Sequence, residues 1–340
     1  MNIKRTSGSL IFSILVTLVV TLPLLSCRDN TVYPSTQTQP ITMGTFSKAL
    51  GNSPYHIAKH FKWFEEDPAL KDVKITYTEY NDRPSISDAF SKGDLQVLFS
   101  AEVPSILCRA QGNDTRIVAL SANVGQNILV RSELPYKSVP ELRGKSLAVL
   151  QGTSSHYGLL KILKAFNLRE SDVDIRYLPP AEAKVAFETN KLDAWAVWAP
   201  FVEQQEVSGK GRLVEGGDAI INSVMTLSAP FIANREATAR AVVSVIQQAK
   251  KWIIANPDRA QQIMAQELGL DPQVVKVAWK KHNWGAQLDE AIIKDIQEKA
   301  TFLAEADKTR AGKALDVRAE LIDLRFNSVA VPAAAAAAAK

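Results

Sequence analysis

The stretch SLAVLQGTSSHY, residues 146–157, combines an apolar run, a glycine turn and a cluster of hydroxyl side chains. Its first five residues are typical of a buried strand, and apolar residues then recur at helical spacing from residue 157 to residue 166. Three residues can each serve as the N-cap of that helix: Thr153, Ser154 and Ser155. A helix start carries free backbone N–H groups and the positive end of the helix dipole, so this turn suits an anionic group of oxygens. A capped helix start that binds nothing is the alternative interpretation.

Outward from this turn, strand and helix patterns alternate from residue 41 to residue 234, and amphipathic helix patterns follow as far as residue 306. This alternation predicts an α/β fold with a largely parallel sheet, in two lobes with a helical C-terminal region. Four separate strands are expected in its middle part, at residues 116–123, 127–131, 211–215 and 226–234. Ligands bind such sheets at the carboxyl ends of strands. The loops expected at the site are residues 47–53, 100–105, 151–156 and 198–200.

The N-terminus has the layout of a signal peptide. Two positive residues precede an uncharged apolar stretch at residues 10–25, and LLSC at residues 24–27 resembles a bacterial lipobox. By that resemblance, residues 1–26 are a signal peptide, Cys27 is lipidated, and residues 27–40 form a flexible tether to the membrane. The apolar stretch is about 16 residues long, which is short for a membrane span of about 20. An uncleaved anchor and plain secretion are the alternatives.

Composition argues against several classes of function. The net charge of +4 over 340 residues comes without a block of Lys or Arg, so nucleic-acid binding has little support. If Cys27 is acylated, Cys108 has no partner, and no disulfide framework exists. His56 and His60 have a metal-binding spacing but no evident third ligand, so neither a metal nor a cofactor is expected. Residues 328–340 form a low-complexity, alanine-rich tail outside the fold.

Three fragments together carry a resemblance to a known family. They are QGTSSHY at residues 151–157, YLPPAEA at residues 177–183 and LDAWAVWAPF at residues 192–201. In combination they resemble the solute-binding proteins of ABC importers for taurine, aliphatic sulfonates and nitrate. The resemblance covers residues 41–326, which is nearly the whole chain after the tether.

The resemblance implies a periplasmic-binding-protein type II fold, a clamshell of two lobes joined by a two-segment hinge. Lobe 1 would comprise residues 41–125 and 231–327, and lobe 2 residues 126–230. The hinge would lie at residues 121–131 and 222–234. In this family the ligand closes the lobes, and the closed form docks on a membrane permease. Two departures bear on the ligand: Glu102 replaces an aspartate that is common after the third strand, and the first loop lacks a Tyr-Gln pair of many sulfonate binders.

The candidate ligand contacts lie in or near the four loops. Trp198, at the carboxyl end of a predicted strand, could cover an alkyl or ammonium group, whereas Trp195 is expected in the core. Glu102 could meet a ligand ammonium or cap the helix that starts near residue 104. His156 could donate a hydrogen bond to the ligand oxygens that the hydroxyl cluster binds. Alternatively, it only caps the helix and packs at its start. The full set of candidates is Asn52, Ser53, Glu102, Gln126, Asn127, Thr153, Ser154, Ser155, His156 and Trp198.

These features predict a membrane-tethered, extracytoplasmic, monomeric binding protein that delivers a small organic oxyanion to ABC permease subunits. An aliphatic sulfonate or taurine ranks first, and the protein is expected to do no chemistry. The same fold could bind nitrate, bicarbonate or a heterocycle such as a pyrimidine. A hydrolase built on Ser154 or Ser155 with His156 is a rival, but no Gly-x-Ser-x-Gly elbow surrounds them. A ligand sensor is a further rival.

Overall fold

In the computed structural model, which describes residues 39–46, 49–307 and 315–329, nine strands form one mixed sheet. They are β1 (Ile41–Phe46), β2 (Ile75–Tyr80), β3 (Val97–Ala101), β4 (Thr115–Arg131), β5 (Ser146–Val149), β6 (Asp174–Tyr177), β7 (Ala194–Val197), β8 (Gly211–Ser228) and β9 (His282–Asn283). Their order is β2-β1-β3-β8-β4-β7-β5-β6, and β9 pairs with β4. The α/β fold predicted from the alternation is confirmed. The prediction of a largely parallel sheet was wrong, because the pairs β3–β8, β8–β4 and β4–β7 in its middle are antiparallel.

Two long strands in the middle of the sheet join two parallel groups. β1 runs parallel to β2 and β3 at one end, and β5 runs parallel to β6 and β7 at the other. Between them, β4 and β8 pair antiparallel from Thr115–Ser228 to Arg131–Gly211. The predicted lobes would correspond to these two ends, and the position of their boundary stays a prediction.

Twelve helices of the described chain surround the sheet. They are α1 (Ser53–His60), α2 (Trp63–Glu66), α3 (Arg83–Lys92), α4 (Glu102–Ala110), α5 (Ser154–Ala165), α6 (Pro180–Glu188), α7 (Phe201–Val207), α8 (Ala229–Asn234), α9 (Glu236–Ala255), α10 (Pro257–Leu268), α11 (Pro272–Lys280) and α12 (Glu290–Asp307). No helix in this part of the chain is both long enough and apolar enough to cross a bilayer. The predicted signal peptide, Cys27, the tether up to residue 38 and the tail from residue 330 lie outside the described residues.

The prediction of four short strands in the middle of the chain was wrong. β4 and β8 are each continuous, and their register shifts at three places where the pairing is irregular. Such bulges bend a strand and break its alternation, so each long strand gives the pattern of two. Residues 229–234 form α8 instead of a strand, because Ser228 caps the helix by accepting the N–H of Phe231 and a proline stands in the first turn.

Helix α5 is held against the sheet by close contact at a glycine. Its Leu159 and Leu163 share a core cluster with Val149 of β5 and Ile128 of β4. A Cβ at Gly158 would lie 2.0 Å from the side-chain nitrogen of Gln126, which is buried and donates to the backbone carbonyl of Ser155. The position of the first turn of α5 therefore depends on glycine at residue 158.

We expect Gly158→Ala to lower the free energy of unfolding by about 1–3 kcal/mol, although alanine is the better helix former. The added methyl group must displace Gln126 and break its bond to Ser155. Urea unfolding measures the change, with Lys164→Ala on the exposed side of α5 as the control, expected within about 0.5 kcal/mol of wild type. A more stable Gly158→Ala protein would show that α5 is not seated in this way.

Candidate functional site

A small cavity lies where the four predicted loops meet. Its volume is about 40 Å³, which is the space of roughly three water molecules. One wall comes from Phe46, Gly51 and Ala101, at or just after the ends of β1 and β3. The opposite wall comes from the first turn of α5 and from Trp198, just after β7. The structure thus brings the carboxyl ends of strands from both ends of the sheet together around one space.

The first turn of α5 presents polar groups to this cavity. Thr153 is the N-cap: its Oγ1 accepts the N–H of His156 at 3.3 Å and donates to the carbonyl of Leu150 at 2.7 Å. Gly152 before it has a φ of 73°, a left-handed conformation that favours glycine. The backbone N–H groups of Ser154 and Ser155 then have no partner within the helix. This turn therefore has the donors and the dipole that the sequence indicates for an anion.

Four buried polar atoms on cavity-lining residues have no hydrogen-bond partner in the described structure. They are Ser154 Oγ, Ser155 Oγ, Trp198 Nε1 and His282 Nε2. Each of these residues is at most 8% exposed. Buried polar groups in folded proteins are nearly always paired, so a group of four around one cavity indicates a polar occupant.

The two tryptophans of the LDAWAVWAPF segment have different positions. Trp195 lies within β7, is 1% exposed and packs in the core against Phe187 and Phe201. β7 ends at Val197, so Trp198 is the first residue after the strand and reaches the cavity. The expectation that both lie on one strand was wrong for Trp198, whereas the core position of Trp195 is as expected.

The cavity has no formally charged wall. None of its lining residues in the described chain is a lysine, arginine, aspartate or glutamate. Its one titratable side chain is His282, and burial lowers the pKa of this imidazole to about 4, so the ring is neutral at pH 7. An anion in this space would be held by hydrogen bonds and the dipole of α5 instead of by an ion pair.

A larger groove of about 460 Å³ adjoins the cavity, and the two share Phe46 and Thr153. His156 lies in this groove and not in the cavity. Its Nδ1 accepts the N–H of Gly152 at 3.4 Å, and its Nε2 is 3.4 Å from the hydroxyl oxygen of Tyr177. Arg83 from α3 lies against Gly152 and gives the groove a positive group.

The family model that describes the NMT1-like family matches residues 35–269 of the chain. The chain belongs to the NMT1-like family. This match includes α5, β7 and Trp198, and it ends before β9 and His282.

Relatives and solved structures agree with this assignment. Two relatives carry the name "Putative aliphatic sulfonates-binding protein". The one from Escherichia coli (strain K12) is 27% identical over 208 residues, 60% of this chain and 65% of the relative, so slightly less than two thirds of that relative is covered. The one from Bacillus subtilis (strain 168) is 26% identical over 281 residues, 81% of this chain and 83% of the relative.

The structure of the alkanesulfonate-binding protein SsuA from Xanthomonas axonopodis pv. citri bound to MOPS gives a TM-score of 0.70. It is 24% identical to this NMT1-like chain, and the match covers 84% of this chain and 98% of SsuA. At this identity the likeness shows the fold alone. It confirms the periplasmic-binding-protein fold, and the relatives confirm the resemblance to sulfonate-type solute-binding proteins.

Glu102 of this NMT1-like protein is not brought to the cavity. Its carboxylate is fully buried, pairs with Lys299 of α12 and accepts the backbone N–H of Asn222 at 2.8 Å. Lys299 also contacts Asp295 at 2.7 Å and donates to the carbonyl of Ile220 at 2.9 Å. The suggestion that Glu102 meets a ligand ammonium is therefore corrected: a carboxylate already paired with a buried ammonium is not presented to a ligand.

The candidates of the first helix also have partners within the protein. Asn52 is buried and donates to Thr45 Oγ1 at 3.1 Å and to the carbonyl of Phe99 at 3.2 Å. Ser53 Oγ donates to the carbonyl of Leu50 at 2.6 Å. Neither residue lines the cavity, where Gly51 takes that position instead. Ser47 and Lys48 of the same loop lie outside the described residues.

Gln126 and Asn127 of β4 do not line the cavity. Gln126 is fully buried and supports α5 through its bond to the carbonyl of Ser155. Asn127 is half-buried, and its backbone pairs with Val197 and Asp218. Of the ten candidates, the structure places Thr153, Ser154, Ser155 and Trp198 around the cavity. Whether they bind a ligand stays a prediction.

His282 is the titratable cavity residue that sequence reasoning missed. It stands in the two-residue strand β9, which pairs with Val124 and Asn123 of β4. Its segment, KHNW at residues 281–284, has neither a motif nor a periodicity that marks a site. Within the described residues, no group of three or more His, Cys, Asp or Glu side chains is arranged to hold a metal.

We expect Lys299→Met to lower the free energy of unfolding by about 3–5 kcal/mol, because it leaves the Glu102 carboxylate buried and uncompensated. Lys294→Met on the exposed side of the same helix is the matched control and should change stability by less than about 0.5 kcal/mol. Urea unfolding gives both values. Equal effects of the two variants would contradict the buried ion pair.

A second prediction concerns acid stability. Burial lowers the pKa values of His56 and His282 to about 4, from 6.5 in the unfolded chain. Between pH 4 and pH 6.5 these two histidines bind more protons in the unfolded chain than in the folded chain. The free energy of unfolding therefore falls as the pH falls from 6.5 to 4. We expect each histidine to remove about 2 kcal/mol between about pH 7 and pH 5, measured by urea unfolding at each pH.

The contribution of His282 can be separated with two neighbouring variants. His282→Asn has no titrating ring, so the difference in unfolding free energy between the two pH values should shrink by about 2 kcal/mol. Asn283→Ala, at the next position of β9, should move the whole curve without changing its slope. An unchanged slope in His282→Asn would show that this imidazole does not stay neutral in the folded chain.

Proposed function

We propose that this chain is the substrate-binding component of an ABC importer and captures a small organic oxyanion, an aliphatic sulfonate or taurine, in the cavity. The single observation that carries the proposal is the group of unpaired polar atoms around the first turn of α5. Ser154, Ser155 and Trp198 supply three donors there, and the backbone N–H groups of the turn add to them. The names of the relatives and of the SsuA structure support the same ligand class.

Hydrogen bonds alone suffice to hold an oxyanion in such a site. A hydrogen bond to a charged group contributes about 1.5–3 kcal/mol, roughly twice a neutral one. Because most residues that line the cavity are buried, the dipole of α5 is less screened there than in bulk water and favours negative charge at this end. Arginine and lysine are therefore not required on the wall of the cavity.

Size divides the ligand into a head and a tail. The cavity of about 40 Å³ suits a compact oxyanion head, and the adjoining groove of about 460 Å³ offers room for an organic tail. The small cavity by itself also favours an inorganic oxyanion such as nitrate or bicarbonate, which is the second candidate. A heterocycle such as a pyrimidine would rely on the Trp198 ring.

The geometry disfavours the hydrolase alternative. Neither Ser154 Oγ nor Ser155 Oγ has a hydrogen-bond partner in the described structure, so neither hydroxyl is paired with His156 there. The imidazole lies in the groove, with its nitrogens near Gly152 and Tyr177. A nucleophile requires a base within hydrogen-bond reach. Binding without turnover is therefore the proposed activity.

The cellular setting follows from the same proposal. The relatives' names describe binding proteins, and a chain of this fold would work on the extracytoplasmic side, beside the permease. Lipidation of Cys27 would hold it there on a flexible tether. Closure of the two lobes would occur if the ligand binds both walls of the cavity, since a ligand shifts an equilibrium only through differential contacts.

Thermal shift against a ligand panel tests the proposal. The panel holds taurine, alkanesulfonates of different chain length, nitrate, bicarbonate and pyrimidines. A ligand at about 100 times its Kd should add about 2.7 kcal/mol of stability. We expect stabilisation by sulfonates. Stabilisation by nitrate or bicarbonate alone would establish the second candidate, and hydrolysis of an ester substrate would establish the hydrolase.

Variants of the cavity donors test the site itself. We expect Ser154→Ala, Ser155→Ala and Trp198→Phe each to weaken sulfonate binding at least tenfold, about 1.4 kcal/mol, because each removes one donor. The two serine variants change the volume of the site little, whereas Trp198→Phe also enlarges the cavity. Isothermal titration measures the Kd. Ser171→Ala, at an exposed position, is the control and should bind as wild type does. Unchanged affinity in all three variants would place the ligand elsewhere.

A further inference from the structure

We infer that His282 selects ligands that carry a hydrogen-bond donor close to the oxyanion, so that the preferred substrate is an amino- or hydroxy-sulfonate and not a plain alkanesulfonate. The inference rests on the proposed function, because it takes the cavity as the ligand site. It starts from one observation: among the unpaired polar atoms of the cavity residues, His282 Nε2 differs in kind from the other three.

The hydrogen bond at the other ring nitrogen fixes the tautomer of His282. Nδ1 lies 2.8 Å from the backbone carbonyl of Ala278, and a carbonyl oxygen can only accept. Nδ1 therefore carries the proton. In a neutral imidazole, the remaining nitrogen, Nε2, is then an acceptor with a free lone pair.

The ring cannot easily turn to avoid this role. It stacks on Trp284 with centroids 4.8 Å apart and planes within 9° of parallel. Its backbone pairs with Val124 of β4, a residue that also lines the cavity. His282 is 7% exposed, so its Nε2 is shielded from bulk solvent, and a ligand would replace the few waters that the cavity can hold. The cavity residues therefore include one fixed acceptor, His282 Nε2, whereas the other unpaired atoms, on Ser154, Ser155 and Trp198, can donate.

The chemistry of the ligand follows from this division. The hydroxyls of Ser154 and Ser155 and the indole N–H of Trp198 suit the oxygens of an anionic head. The lone pair of His282 Nε2 would repel a further oxygen of the anionic head, but it would accept a hydrogen bond from an ammonium or hydroxyl group of the ligand. Because all four groups border one cavity of about 40 Å³, the donor must stand within a few bonds of the head. The indole face of Trp198 would also attract an ammonium.

The rival explanation is that Nε2 takes up a proton when the anion binds and becomes a donor itself. Burial and the positive charge of Lys281, the preceding residue, both lower the pKa of the His282 imidazole and so oppose its protonation. Lys281 itself pairs with Glu203 and Glu206 of α7. The two explanations make opposite predictions about proton uptake and about plain sulfonates.

Three matched sulfonates test the inference by isothermal titration. Taurine, isethionate and propane-1-sulfonate have the same number of heavy atoms and end in an ammonium, a hydroxyl and a methyl group. We expect the first two to bind at least tenfold more tightly than propane-1-sulfonate, with no proton exchanged in buffers of different ionisation enthalpy. Two variants at one position provide the internal control. His282→Asn keeps an amide near Nδ1 and has nothing at the Nε2 position, whereas His282→Gln places an amide there.

We expect His282→Asn to abolish the preference and His282→Gln to retain part of it. Equal binding of all three ligands to the wild-type protein would overturn the inference and leave the proposed function intact. The inference would also be overturned if propane-1-sulfonate bound with uptake of a proton and more tightly at lower pH, since His282 would then act as a donor. If no sulfonate binds the folded protein, the proposed function fails and the inference fails with it. The comparison of the three sulfonates on the wild-type protein tests the inference even if a His282 variant does not fold.

Discussion

The pairing of β4 with β8 is the constraint on which the rest of this structure depends. These strands are the elements that run from the β1–β3 end of the sheet to the β5–β7 end, and their ladder extends from Thr115–Ser228 to Arg131–Gly211. Every other strand of the described sheet is attached to one of them, either directly or through one or two other strands. The cavity lies beside this crossing, and Val124 and Ile221, which face each other across the ladder, line it. Loops from distant parts of the chain therefore meet beside this ladder, because it connects the two ends of the sheet.

If the cavity binds an oxyanion as proposed, it does so without a cation in its wall. A lysine or arginine would contribute more attraction, but burying it without a partner costs several kcal/mol when the site is empty. Hydroxyls, an indole N–H and the start of α5 carry partial charges only, so their desolvation is cheaper and the empty site remains compatible with a stable fold. In the proposed site, specificity would therefore rest on the direction of each hydrogen bond. In such a site one acceptor among donors, as at His282, matters more than it would beside a full charge.

The features that could be predicted from the sequence are those that depend on residues close together in the chain. The glycine turn and hydroxyl cluster of residues 151–155 gave the start of α5 because capping depends on neighbouring residues, and the structure assigns the cap to Thr153. The α/β class followed from alternation, which is also local. His282 could not be found in this way, since it reaches the cavity through a two-residue strand that packs on β4 more than 150 residues earlier in the chain. Glu102 was misassigned for the same reason: its partner, Lys299, is 197 residues away, and nothing near Glu102 in the sequence announces it.

The correction at Glu102 gives that residue a different connection to the site. Its carboxylate accepts the backbone N–H of Asn222, while Lys299 binds the carbonyl of Ile220. These two backbone groups flank Ile221, and Ser223 follows Asn222, so the ion pair fixes the segment of β8 that forms part of the cavity wall. An acid at the carboxyl end of β3 thus acts on the site through the backbone of β8 and not through the ligand. Its full burial is consistent with this positioning role, because an ammonium ligand would have to displace Lys299 and leave a second charge unpaired.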